Sequence, residues 1–168
     1  ELALGIASYD DVRTGNGRMA IEFLDSSVVR LTEHSKIIID DFVYDPDPNK
    51  SKLALSMASG TARFITGRLA GIKKENIFIK TPSATIAIRG TDFTTTVDEL
   101  GRSLIILLPD ATGKTSGEIS VTTWSGTEIL NKPFQATMVS TFESRPTKAV
   151  VLGNLTLELI DNMLIVNK

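Results

Sequence analysis

Residues 79–93 read Ile79-Lys80-Thr81-Pro82-Ser83-Ala84-Thr85-Ile86-Ala87-Ile88-Arg89-Gly90-Thr91-Asp92-Phe93. Ile77 and Ile79, then Ile86 and Ile88, put an apolar side chain at every second position, the period of a strand with one buried face. Thr81-Pro82-Ser83 separates the two runs as a turn, and Gly90 ends the second. Two short strands meeting at a tight turn, with a third run opening at Phe93, set the theme for the whole chain.

Working outward, the same period recurs. Met19, Ile21 and Phe23 alternate with Arg18, Ala20 and Glu22, and Asp25-Ser26-Ser27 turns the chain. The pattern returns at Val29 and Leu31, at Ile37 and Ile39, at Leu53, Leu55 and Met57, and at Ala62 and Phe64. Ser59-Gly60 marks a hairpin or a corner, and Gly71 another turn. Strand, Ser-Gly, strand occurs in Leu53 to Thr66 and again in Ile119 to Leu130, as stacked β-coils would require. Many short strands at this spacing predict an all-β chain, a β-solenoid or rolled β-sandwich. Ile21, Phe23, Ile37, Ile39, Leu55, Phe64, Ile79, Ile86, Ile88 and Phe93 are its expected core, with Glu22 and Lys80 facing out. At the C-terminus Asn154 is placed to cap a short helix carrying Leu155, Leu159, Met163 and Leu164 on one face. Leu155, Leu157 and Leu159 also alternate, so a strand stays open there. Asp45 to Lys50 and Pro109 to Gly117 read as loops.

Composition narrows function. Eighteen basic and twenty acidic residues are well mixed, with a net charge of −2, so the footprint of a nucleic-acid binder is missing. No apolar run approaches the roughly 18 residues of a membrane span, and no membrane contact is expected of the given chain. Without cysteine there is neither a disulfide scaffold nor thiol chemistry.

The motifs with chemical promise fail on their own requirements. Gly113-Lys114-Thr115 follows an apolar strand as a phosphate-binding loop would. Leu108 stands where the first glycine belongs, and Glu118-Ile119-Ser120-Val121 reads as a strand where a helix should start. Asp45, Asp47 and Asn49 have calcium-loop spacing, but Lys50 replaces the glycine and Ser56 the closing glutamate. His34 is the sole histidine, so no zinc cluster forms in one chain. A triad of His34 with Ser35 or Asp40 has no nucleophile elbow. No catalytic, cofactor or metal site is expected, and the chain is read as no enzyme. Apolar residues without such a role are interface candidates. Leu104, Ile106 and Leu108 lie in a run suited to a strand buried on both faces. Trp124 and Phe134 are either core or hot-spot anchors, and Leu159 and Met163 add to an apolar terminus.

Asp11-Val12-Arg13-Thr14-Gly15, then Ala20 to Leu31 and Ser35-Lys36-Ile37, resemble the opening of the FecR domain, and residues 79–93 resemble its most characteristic stretch. The usual glycine after Asp25 is replaced by Ser26-Ser27. The resemblance implies a β-solenoid-like interaction module over residues 1–98, with 99–168 a β-rich extension packing on it and on partners. Arg89, Gly90, Thr91, Asp92 and Phe93 form the fold signature, with Arg89 and Asp92 pairing or satisfying backbone groups at a corner. From Asp98 to Thr137 the chain also resembles FecR-domain virion structural proteins of marine tailed phages. That resemblance implies a subunit of the tail, baseplate, neck or capsid surface, in an oligomeric assembly with other virion proteins or copies of itself. The alternative is a periplasmic FecR-type sensor domain that regulates a sigma factor through a receptor.

Overall fold

The computed structural model describes residues 5–23, 27–43, 52–65, 77–89 and 91–153. Among them are thirteen strands and no helix: β1 (Asp11–Arg13), β2 (Met19–Glu22), β3 (Val28–Leu31), β4 (Lys36–Val43), β5 (Lys52–Ile65), β6 (Ile77–Lys80), β7 (Thr85–Arg89), β8 (Asp92–Val97), β9 (Ser103–Leu108), β10 (Glu118–Thr123), β11 (Gly126–Leu130), β12 (Gln135–Val139) and β13 (Val150–Val151). The all-β expectation holds. The C-terminal segment weighed as a helix, with Leu159 and Met163, lies outside the described residues, as do Asp45, Asp47 and Asn49.

β5 organises the molecule. Its first half pairs with β4 and β6, in a layer ordered β1-β4-β5-β6-β7-β10-β11. Its second half pairs with β3 and β8, in a layer ordered β2-β3-β5-β8-β9-β12-β13. The single sheet is thus curled through β5 into two layers, and the chain feeds hairpins to them alternately: β6-β7, then β8-β9, then β10-β11, then β12-β13. Every pairing is antiparallel except β5 with β6.

The bend sits at Gly60, where φ is +91°. A Cβ there would fall 2.5 Å from Ser35 Cα, so this corner of β5 accepts only glycine. Hydroxyls strap it. The Thr61 N–H donates to Ser35 Oγ at 3.1 Å, the Thr32 N–H donates to the Thr61 carbonyl at 3.1 Å, and Thr14 Oγ1 accepts the Ser35 N–H at 2.8 Å. At Thr81-Pro82-Ser83 a second buried set closes the layers together. Ser103 Oγ, at the start of β9, lies 2.7 Å from both Thr81 Oγ1 and Ser83 Oγ.

The core is one apolar cluster fed by the inner faces of both layers. All ten residues expected there belong to it, none more than 9% exposed, while Glu22 and Lys80 face solvent. Phe93 is fully buried and stacks on its register partner Phe64, ring centroids 4.9 Å apart. Burying a side chain of that size contributes about 1.5–3 kcal/mol.

Candidate functional site

The signature residues meet at a junction where four strands begin or end. β7 finishes in one layer and β8 begins in the other. Ser116, just before β10, stitches the crossing: its hydroxyl accepts the Asp92 N–H at 3.0 Å and donates to the Leu108 carbonyl at 2.6 Å. The Asp92 carboxylate receives a two-pronged bond from Arg63 on β5, at 3.0 Å from Nε and 2.7 Å from Nη2. Both side chains are largely buried, at 10% and 16% exposure. A planar guanidinium and a carboxylate matched in this way fix the angle between neighbouring strands as well as neutralising both charges. Thr91 is buried beside them. Arg89 is the register partner of Glu118 in the β7–β10 ladder, and Gly90 lies outside the described residues.

The expected interface residues fall in two places. Leu104, Ile106 and Leu108 point outward from β9, opposite the core-facing Ile105 and Leu107. There they meet Phe134, Ala136 and Leu152 in a second, smaller apolar cluster. β9 is therefore buried on both faces, with β8 and β12 on its flanks. Trp124 stands apart at the tip of the β10–β11 hairpin, 80% exposed. It is held, not loose. Its backbone N–H donates to the Phe142 carbonyl at 2.9 Å, its ring meets Phe142 edge-on at 6.0 Å, and the Ser125 hydroxyl donates to the Glu143 carbonyl.

Periodicity gave no sign of Tyr9 or Leu100 as exposed apolar side chains; both sit in turns, where alternation lapses. Leu100 belongs to a turn used twice. In Asp98-Glu99-Leu100-Gly101-Arg102 the Asp98 carboxylate accepts the N–H groups of Leu100 and Arg102 at 2.9 Å each, and Arg102 Nε at 2.6 Å. In Asp110-Ala111-Thr112-Gly113-Lys114, Asp110 accepts the N–H groups of Thr112 and Lys114 at 2.8 and 3.0 Å. Asp-x-x-Gly-basic is the signal that finds both. The Arg102 side-chain bond holds the Asp98 carboxyl below its ordinary pKa, and the Thr112 hydroxyl does the same for Asp110. At the other end Arg13 lowers Asp11.

The Lys114 amide, in the loop that resembled a phosphate cradle, is already bound to Asp110, and a strand follows. His34 lines a groove of about 670 Å³ with Glu33, Gly60, Val97, Asp98 and Leu100. Ser35 turns its hydroxyl to Thr61, and Ser56 takes up Asp40. Among the described residues no group of three or more histidines or carboxylates is placed to hold a metal ion.

What remains is a two-layer β module whose exposed features suit contact. The model of the family described as FecR protein matches residues 10–127, and the chain belongs to that family. Members are regulatory and non-catalytic, and this chain is not an enzyme. No curated protein sequence matches it. Two crystal structures of proteins provisionally described as anti-sigma factors, both from Parabacteroides distasonis, share the fold. One, at 1.65 Å, has a TM-score of 0.65 at 15% identity, over 95% of this chain and 76% of its own. The other, at 2.50 Å, has a TM-score of 0.60 at 16% identity, over 82% of this chain and 57% of its own.

These findings overturn the virion reading, and with it the tailed-phage assignment, the virion partners and the virion location. Much of the stretch that resembled phage proteins, from Asp98 onward, falls inside the FecR match and supplies β9, paired with β8, and the β10–β11 hairpin of the same sheet. Its alternation is that of any paired strand, so it carries no mark of a virion.

Proposed function

We propose that this chain is the periplasmic sensor domain of a FecR-type signalling protein, which passes a signal to a sigma factor by contact with a receptor domain. The observation that carries this reading is the family match over residues 10–127. The shared fold of the two bacterial proteins described as anti-sigma factors supports it. Within the domain, the contact surface is supplied by 99–168, the extension to the 1–98 module. Trp124 is its leading anchor: a large, rigid aromatic presented on a braced hairpin costs little entropy to bury. Leu104 and Phe134 offer partly exposed apolar surface backed by Ile106 and Leu108, whereas Leu159 and Met163 lie outside the described residues. The domain works without a cofactor.

Two measurements test this separately. Alkaline phosphatase fused after residue 168 of the protein in its host should be active, and an inactive but stable fusion would refute the periplasmic location. In the second, Trp124→Ala should weaken binding to the receptor domain at least about tenfold, or about 1.4 kcal/mol, while leaving the melting temperature unchanged. Binding at full strength would remove Trp124 from the contact.

A further inference from the structure

We propose that Asn16-Gly17, in the β1–β2 connection, is a site of spontaneous modification that changes the charge of the domain as it ages. The reaction is intramolecular. The Gly17 amide nitrogen attacks Asn16 Cγ; the new N–Cγ bond forms as the Cγ–Nδ2 bond breaks, and the displaced NH2 leaves with the amide proton as ammonia. Water then adds to either carbonyl of the five-membered imide, leaving an aspartyl or isoaspartyl residue at position 16. Asparagine is among the chemically labile side chains, and the step needs a backbone that can fold the nitrogen onto its own side chain. Glycine allows this best.

The structure supplies each condition. Asn16 and Gly17 are both exposed in a bend outside the strands. A Cβ built on Gly15 or Gly17 meets nothing within 4 Å, so no neighbouring atoms crowd the loop where a side chain would project from either glycine. Among the described residues no hydrogen bond engages the Asn16 side chain or the Gly17 N–H, and the nearest anchor is the His34 N–H donating to the Gly15 carbonyl at 2.9 Å. Asn131 is the internal contrast. The nitrogen that would attack there belongs to Lys132, a residue with a Cβ, and its N–H donates to Gln135 Oε1 at 3.1 Å. The placement has a consequence. Arg18, two residues on, reaches Glu33 at 3.7 Å, and Glu33 lines the groove between the β3–β4 and β8–β9 turns. A carboxylate at position 16 takes the net charge from −2 down by one and competes for Arg18.

The test is peptide mass spectrometry on the purified chain held at neutral pH below its unfolding transition. The expected result is conversion at Asn16 far ahead of Asn131, with isoaspartate detected by enzymatic methylation. Gly17→Ala should slow it by about an order of magnitude, because a Cβ hinders the folding-back of the nitrogen. Gly17 has neither a left-handed φ nor a close neighbour, so that variant keeps the fold. Asn16→Gln, which would require a larger ring, should abolish the product without touching the glycine. Conversion at Asn16 no faster than at Asn131, or unchanged in Gly17→Ala, overturns the proposal.

Discussion

Replacing Gly60 by alanine should damage this fold more than any other change of one methyl group. Three costs add. At φ +91° an alanine backbone is strained by about 1 kcal/mol. The new Cβ would lie 2.5 Å from Ser35 Cα and 2.6 Å from Ser35 Cβ, against ~3.5–4.0 Å for carbons in contact. Relief requires the β3–β4 turn to move off β5. That movement severs the bonds between Ser35 Oγ and the Thr61 N–H and carbonyl, at about 1 kcal/mol each. The sum is roughly 3 kcal/mol before residual overlap, a large fraction of the 5–15 kcal/mol typical of a whole domain. In urea unfolding with a slope of about 2 kcal/mol per molar, the midpoint should fall by ~1.5 M or more. Gly113→Ala is the control. Its φ is +84° but nothing lies within 4 Å of the added Cβ, so strain alone should lower the midpoint by about 0.5 M. Equal midpoints for the two variants would refute a close approach at the corner.

Three further outcomes follow from single side chains. Thr95 is fully buried and its hydroxyl has no partner among the described residues, so Thr95→Val should raise stability by about 1 kcal/mol in the same assay. Asp92→Asn leaves Arg63 buried without its carboxylate and should cost about 3 kcal/mol, with a double-mutant cycle against Arg63→Met reporting the coupling. Asp98 has a lowered pKa in the folded state because of its bond from Arg102. Its contribution is therefore complete above the unfolded carboxylate pKa and disappears as pH drops through the lower folded value. Melting temperatures of the wild type and Asp98→Asn should converge below about pH 4, where an ordinary aspartate protonates, and a constant gap down to pH 2 would exclude the turn as the cause.

The sequence made the core legible because alternation is a local property: each strand announces its inner face from five or six residues, and all ten expected core positions lie in one cluster. The apolar run Leu104 to Leu108 likewise announced burial on two faces. Pairing was less accessible. Ser59-Gly60 and Ser125-Gly126 read alike, yet the first bends one strand between two layers and the second closes a hairpin. The partners that decide this lie elsewhere in the chain. Arg63 and Asp92 are 29 positions apart, and only the β5–β8 register brings them together. The virion reading failed for a related reason, since the residues after Asp98 have the pattern common to all paired strands and no feature peculiar to a phage.

Because β5 alone belongs to both layers among the described strands, the two layers cannot separate as independent leaves. Freeing either one requires breaking a ladder of the strand that also anchors the other, so opening events are shared across the whole sheet. Amide hydrogen exchange should therefore find the slowest protons along β5 between Leu53 and Phe64, releasing together at the global unfolding free energy. The end strands β11 and β13, each with a single strand partner, should exchange sooner through local fraying. A domain built this way has a stiff spine and softer margins, and the contacts of Trp124 and Ser125 with Phe142 and Glu143 hold the tip of the β10–β11 hairpin in place at one of them.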